Sequence, residues 1–577
     1  MQTKLQDLFN NFERSAKSKF RRLTSSSQAK CVFTCRTSDL KGNSVDMTKN
    51  CTPCRYRFLR IDRSWREHED TAKGLKLELY EFETLPDIGY CAVSHVWRGV
   101  QGRNNKHGYF SLKGQEDADD IGISVLYDIS WASWERGLDY IWLDRSCIMQ
   151  TNREDKSWQI RHMFGIYQKC SLCLVLPGGL QRLARMDENT TWADRAWTLQ
   201  EIVAPPTTRV FVLYNPGKPD STIQSRRRVH IETDNPVIAN DSGRRALLVL
   251  AFALGQNHSK FFTESKFFGF QLSHLLTMGE CLEGVTQKHH SWIWKSVIMR
   301  TSSRPVDMVC SIMGLFRVNF DPQLYDKDDR IGASIALVQS TLAERRNSEW
   351  QGIPYGEAHH PSDISWFLGL YWIDPDPEYS LFPRLPKTSV DGNAQWTNPD
   401  GSIVNVAEEF TKNIDFLKPD FVALVSNVAL DDEGYLWVTS PHVLPLTRQF
   451  HRNPAAFSVP NNDVRFHFCP NTQTLWQFWP PDYATPREYW SNYLSNADCL
   501  AVYIGYIGLT DSQGLKPAVY LIIQRHAPER YHRVTYLHVP LQNGFPSFEP
   551  TPDMSFHNVR LAIGGPIPYR KPVSSDT

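Results

Sequence analysis

No apolar run in this 577-residue chain is long enough to cross a bilayer. The best candidate, Ala246 to Leu254, is under half a span. The chain also lacks a charge excess, because Lys+Arg and Asp+Glu are 63 each. That neutral balance argues against a dedicated nucleic-acid binder, which usually carries surplus base. The first residues show no apolar signal-peptide core, and Asp7 and Glu13 fit a transit peptide poorly. A cytoplasmic protein is the expectation, with its 12 cysteines mostly reduced. There is no Gly-x-x-x-x-Gly-Lys-(Ser/Thr) loop, so no nucleotide-triphosphate motor is expected. There is no Gly-x-Ser-x-Gly elbow either, which weakens any Ser/His/Asp hydrolase reading.

What the chain does have is aromatic weight and length. Eighteen Trp imply large aromatic cores. The length suggests roughly two to four domains. Changes of pattern divide the chain into residues 1–78, 79–215, 216–345 and 346–577. Met1 to Leu23 reads as an amphipathic helix with a basic end, followed by an irregular stretch that holds Cys31, Cys35, Cys51 and Cys54. Residues 216–345 read as mostly helical, with Ile331, Ile335, Val338 and Leu342 on one stripe. Residues 346–577 read as loop-rich and then β-rich, with short runs such as Val519 to Ile523.

The second segment has a βαβ rhythm. Tyr90 to Ser94, Tyr140 to Asp144, Ser171 to Leu176 and Thr208 to Tyr214 are short apolar runs. Helical patterns lie between them, over Ser124 to Arg136, over Glu154 to Lys169 and after Asp194. Gly137 stands where a C-cap belongs, and Thr151/Glu154 and Thr191/Asp194 fit capping boxes. Alternating runs of this kind predict a buried parallel sheet. Ligands in such sheets sit beyond the carboxyl ends of the strands. Those ends carry Ser94, His95, Asp144 and Pro177.

Three blocks add a resemblance. They are Tyr90-Cys-Ala-Val-Ser-His-Val-Trp97, Tyr140-Ile-Trp-Leu-Asp-Arg-Ser-Cys-Ile-Met-Gln150 and Arg195-Ala-Trp-Thr-Leu-Gln-Glu201. Their order and spacing resemble the heterokaryon-incompatibility (HET) domain of filamentous fungi. Arg98 between Trp97 and Gly99, and Ser146 in place of a leucine, depart from that pattern. Arg300 to Leu315 looks like the helical segment that follows the domain in many relatives. HET domains in turn resemble the Toll/interleukin-1 receptor (TIR) fold, whose Trp-Cys-x-x-Glu-Leu-like helix is matched by Trp197 to Ile202. The fold class so implied is α/β: a TIR-like parallel sheet with flanking helices, then a helical segment and a β-rich C-terminal region. Some TIR domains hydrolyse NAD with the Glu of that helix and others only assemble. The resemblance therefore implies self/non-self recognition and cell-death signalling, either through NAD hydrolysis or through self-association or binding of another incompatibility protein.

Several residues become candidates. Trp197 and Glu201 share one helical face. Glu201 falls in the last turn, where the helix dipole disfavours a carboxylate by roughly 0.3–1 kcal/mol. The resemblance makes it the catalytic candidate, and a salt-bridged surface position is the structural alternative. Asp144 ends a buried strand, where a carboxylate must be paired or solvated. Ser94, His95, Trp97 and Arg98 adjoin it as substrate-binding candidates. The Arg98 to His107 loop could hold a dinucleotide pyrophosphate through Arg98, Arg103 or Lys106, or be a solvated loop. Cys31-x3-Cys35 and Cys51-x2-Cys54 have a spacing tolerable for zinc, with four unrelated thiols as the alternative. Cys170 and Cys173 lie along a strand and read as core.

Overall fold

The computed structural model describes residues 29–61, 74–102, 107–185, 187–215, 237–239, 246–249, 289–350, 364–368, 376, 378–383, 387–388, 394–397, 402–405, 421–440, 443–450, 466–469, 474–478, 499–507, 518–539 and 559–571. The helix expected over Met1 to Leu23, and Arg103 and Lys106, lie outside them. The chain forms two compact units. The first takes in described residues of 1–289, 299–324 and 386–412, and the second those of 290–298, 325–385 and 413–577.

The first unit is built on a nine-stranded mixed sheet. Its strands are β1 (Lys30–Arg36), β2 (Tyr56–Ile61), β3 (Lys76–Phe82), β4 (Tyr90–His95), β5 (Tyr140–Trp142), β6 (Leu172–Leu176), β7 (Val210–Tyr214), β8 (Val237–Ala239) and β9 (Ala246–Val249). They lie in the order β1-β3-β2-β5-β4-β6-β7-β9-β8. The four central strands, β5, β4, β6 and β7, are parallel. The flanks are antiparallel: β2 pairs with β5 on one side and β9 with β7 on the other.

The sheet is thus mixed where a parallel one was expected, and it draws strands from both sides of residues 79–215. Strands β8 and β9 fall within residues 216–345, which read as helical. Short antiparallel strands at a sheet edge carry little periodic signal, and here β9 pairs with β7 and β8 with β9. The central strands were legible for the opposite reason. Buried on both faces, they read as continuous apolar runs, and every residue of β4, β6 and β7 is buried.

The connections are helical. Helix α1 (Ile123–Trp134) joins β4 to β5, α2 (Asp144–Cys147) and α3 (Arg153–Lys169) join β5 to β6, and α4 (Ala196–Val203) joins β6 to β7. Successive side chains of a strand point to opposite faces. Cys91 and Val93 accordingly share a core with Val125, Leu126, Ile129 and Ala132 of α1. On the other face Trp142 packs edge-on against Tyr167 of α3, and Trp192, just before α4, donates to Ser94 Oγ at 3.0 Å.

Caps fix the helix ends. Gly137 takes φ +72°, and its amide bonds Trp134 O at 2.9 Å after α1. At α3 the cap is Asn152, whose side chain accepts from Asp155 N at 2.9 Å. The Thr151/Glu154 box expected there is displaced by one residue. Thr191 makes no side-chain cap. The start of α4 is instead held from a distance, with Ala196 N bonding Thr301 O at 3.0 Å. Buried Arg300 there donates to Arg195 O at 3.0 Å and to Thr198 Oγ1 at 2.9 Å.

The second unit carries a separate β-rich sheet of ten strands between Phe421 and Ile563. Cys499–Ile507, Ala518–Ala527 and Arg530–Val539 form its antiparallel centre. Helix α6 (Arg330–Trp350) buries Ile335, Val338 and Leu342 as its stripe predicts. Between α4 and α6 in sequence, α5 (Asp307–Cys310) belongs to the first unit. Among the described residues no helix is long and apolar enough to cross a membrane.

Candidate functional site

Labelled by appearance in the chain, the parallel strands run 2-1-3-4. In this arrangement the strand order reverses between β4 and β6, and ligand crevices open at that switch point. The loops leaving β4 and β6 are locked together there. Val100 N bonds Gly178 O at 2.9 Å, and a Cβ on Gly99 would collide with the Gly178 carbonyl. Glycine at 99 therefore lets the two backbones touch.

Ser94, His95, Asp144 and Glu201 gather at this end. Trp192 donates to Ser94 Oγ, and the Ser94 hydroxyl bonds the Glu201 carboxylate. Glu201 is 8% exposed, and its Oε2 has no hydrogen-bond partner. Burial pushes its carboxyl up to about 7, against the Ser94 hydrogen bond; Asp144 adds to the rise, and His95 and Arg195 oppose it. Glu201 is thus neither a surface residue nor salt-bridged.

Asp144, at the start of α2, is the opposite case. It accepts from Trp97 Nε1 at 2.8 Å and from its neighbour's amide, Arg145 N, at 2.6 Å. His95 Nε2 lies 2.7 Å from its Oδ1, and His95 Nδ1 lies 3.0 Å from Val96 O. Burial pushes Asp144 up, but His95, Trp97 and Arg145 together hold its carboxyl below the ordinary range. Two neighbouring carboxyls are therefore tuned in opposite directions, the pattern of acid–base sites.

Trp197 is half-buried and hydrogen-bonds the Asp307 carboxylate. Asp307 was not singled out from sequence, because only the tertiary return of the segment before α5 brings it to α4. Arg98 is exposed, and its Nε is held by Asp117 O at 2.7 Å.

The four cysteines considered for zinc do not assemble. Among the described residues no group of three or more His, Cys, Asp or Glu could hold a metal ion. Cys31 and Cys35 lie on edge strand β1, which β3 separates from β2. Cys51 and Cys54 precede β2, where Cys54 N bonds Asp155 Oδ1 at 2.7 Å. Burial pushes both Cys35 and Cys51 up to about 12, away from the thiolate a metal requires. Cys170 and Cys173 are buried core residues as read. In the second unit, a concavity of about 670 Å³ is lined by Asp326, Lys327, Tyr379 and Tyr569, among others. Of the residues named from sequence only Ile331, from the helical stripe, lies there, and none of the candidate site residues does.

Residues 90–187 match the family model described as Heterokaryon incompatibility protein (HET). The chain is also 27% identical over 132 residues to the vegetative incompatibility protein HET-E-1 of Podospora anserina. That stretch is 21% of this chain and 10% of the relative, so the chain spans about a tenth of the relative's length. No solved structure matches the chain significantly. The family match stops at residue 187, short of α4.

Proposed function

The chain carries a HET domain at residues 90–187, and from that premise we propose that it acts in fungal self/non-self recognition and cell death by cleaving the nicotinamide–ribose bond of NAD at Glu201. The reading takes the domain as TIR-like. The observation that carries it is the buried Glu201 carboxyl, oriented by Ser94 and left with an unpartnered Oε2 at the switch-point crevice.

Nicotinamide in NAD is already cationic, so its departure needs no general acid. The C1′–N1 bond breaks, its electron pair neutralises the pyridinium, and positive charge develops on the ribose. Ionised Glu201 stabilises that charge and orients the ribose hydroxyls. Water then adds to C1′ and releases a proton, giving nicotinamide and ADP-ribose. One carboxylate suffices here, unlike the pair most glycosidases use. Asp144, kept ionised by its donors, holds Trp97 and His95 at the carboxyl ends of the same strands.

Because the ionised form is required and burial lifts Glu201 to about 7, kcat/KM for NAD should climb tenfold per pH unit below that value and level off above it. Expressed in a fungal host, the parent should kill and Glu201→Gln should not. A variant that kills as well as the parent would mean that the domain signals by self-association or partner contact, and the enzyme reading would fall.

A further inference from the structure

Beside the Glu201 crevice three cationic side chains converge without partners. Lys156 stands on α3, Arg195 is the N-cap of α4, and Arg304 precedes α5. The backbone brings them together. Helices α3 and α4 pack on each other, as do α4 and α5, and Arg195 bridges Thr301 in parallel. Lys156 lies within electrostatic reach of Arg304 and Asp307, and Arg195 within reach of Asp307, Asp144 and Glu201. All three are half-buried. Among the described residues, none of the three charged heads makes an ion pair or a hydrogen bond. Asp307, which hydrogen-bonds Trp197, lies within electrostatic reach of all three and balances one of their three charges without an ion-pair contact.

Partial burial of unpaired positive charge costs stability. Burial holds both Arg195 and Lys156 below their ordinary range, and Arg304 adds its repulsion to Lys156. Nearby Asp307, Asp144 and Glu201 offset part of it, but among the described residues no ion pair or hydrogen bond completes the compensation. A bound anion would, through charge-assisted hydrogen bonds and the forked geometry of two guanidiniums.

We propose that Lys156, Arg195 and Arg304 form the subsite that binds the diphosphate of the dinucleotide. This deepens the reading of the crevice as a NAD site and rests on it for the ligand's identity. It moves the diphosphate from the Arg98 to His107 loop to a cradle that is only partly within the family match, with Lys156 inside residues 90–187 and Arg195 and Arg304 after them. Trp197, hydrogen-bonded to Asp307, then stands between this cradle and Glu201 along α4.

The test is calorimetric titration of the full chain with inorganic pyrophosphate and with ADP-ribose. The parent should bind both, ADP-ribose more tightly, and both more weakly as salt rises. Arg304→Gln and Lys156→Gln should each weaken both ligands about tenfold or more, the worth of one charge-assisted hydrogen bond. Arg304→Lys should recover part of the loss, which excludes simple misfolding. Lys113→Gln, at an exposed lysine, should leave pyrophosphate binding unchanged. Parental affinity for pyrophosphate in both Gln variants, or no binding by the parent, overturns the subsite even if NAD is cleaved. If pyrophosphate binds tighter than ADP-ribose, the site takes free phosphates and the dinucleotide assignment falls. No cleavage of NAD by the parent, with these affinities intact, would sink the enzyme reading and leave the anion site standing.

Discussion

At pH 8, Glu201→Gln is expected to unfold later in urea than the parent, by about 3 kcal/mol. The sign follows from linkage. The carboxyl titrates at about 7 in the fold against an ordinary 4.5. Below the lower value both states are protonated and the group costs nothing. Between the two values the unfolded chain ionises while the folded one holds its proton. The parent therefore loses stability as pH rises, at about 1.4 kcal/mol per unit, until the folded carboxyl ionises near 7. The gap between variant and parent should accordingly close as the pH approaches 4.5. A carboxylate that weakens the fold at physiological pH is costly in structural terms, so its placement beside Ser94 is what a reactive site requires. Equal midpoints at pH 8 and pH 5 would show that Glu201 is solvated and ordinary.

The second large effect lies at the opposite face of α3. Asp155→Ala should destabilise the first unit by about 3–5 kcal/mol, because it strands a buried guanidinium. Arg57 of β2 is fully buried and donates to Asp155 Oδ2 at 3.0 Å, to Asp155 Oδ1 at 2.8 Å and to Cys147 O at 2.9 Å. Asp155 also accepts from Cys54 N and Met149 N. One carboxylate thus ties the loop before β2, strand β2, the turn after α2 and the start of α3. Urea denaturation measures the loss, and a cost below about 1 kcal/mol would show that water replaces the carboxylate.

The unevenness of what the sequence revealed has a physical reason. Continuous apolar runs betray parallel strands, so β4, β6 and β7 were readable, and with them the strand end at Ser94. Strand β2 was not, since Arg57 looks like a solvated residue until Asp155 and Glu81 arrive from elsewhere in the chain. The cysteine spacing misled because pairing order, which puts β3 between β1 and β2, is not local information. Glu201 was singled out through the resemblance, but its burial was not legible, because Ser94, His95 and Asp144 reach it from β4 and the start of α2. Lys156 and Arg304 gave no signal at all. A lone basic residue on a helix is ordinary, and only the packing of α3, α4 and the segment before α5 makes a cluster of it.

The most direct test of the account is nicotinamide release from NAD by the purified full chain at high protein concentration, run beside Glu201→Gln. The account predicts steady release of nicotinamide and ADP-ribose in equal amounts by the parent, with none above background from the variant. Release by a well-folded Glu201→Gln at the parent's rate would contradict it.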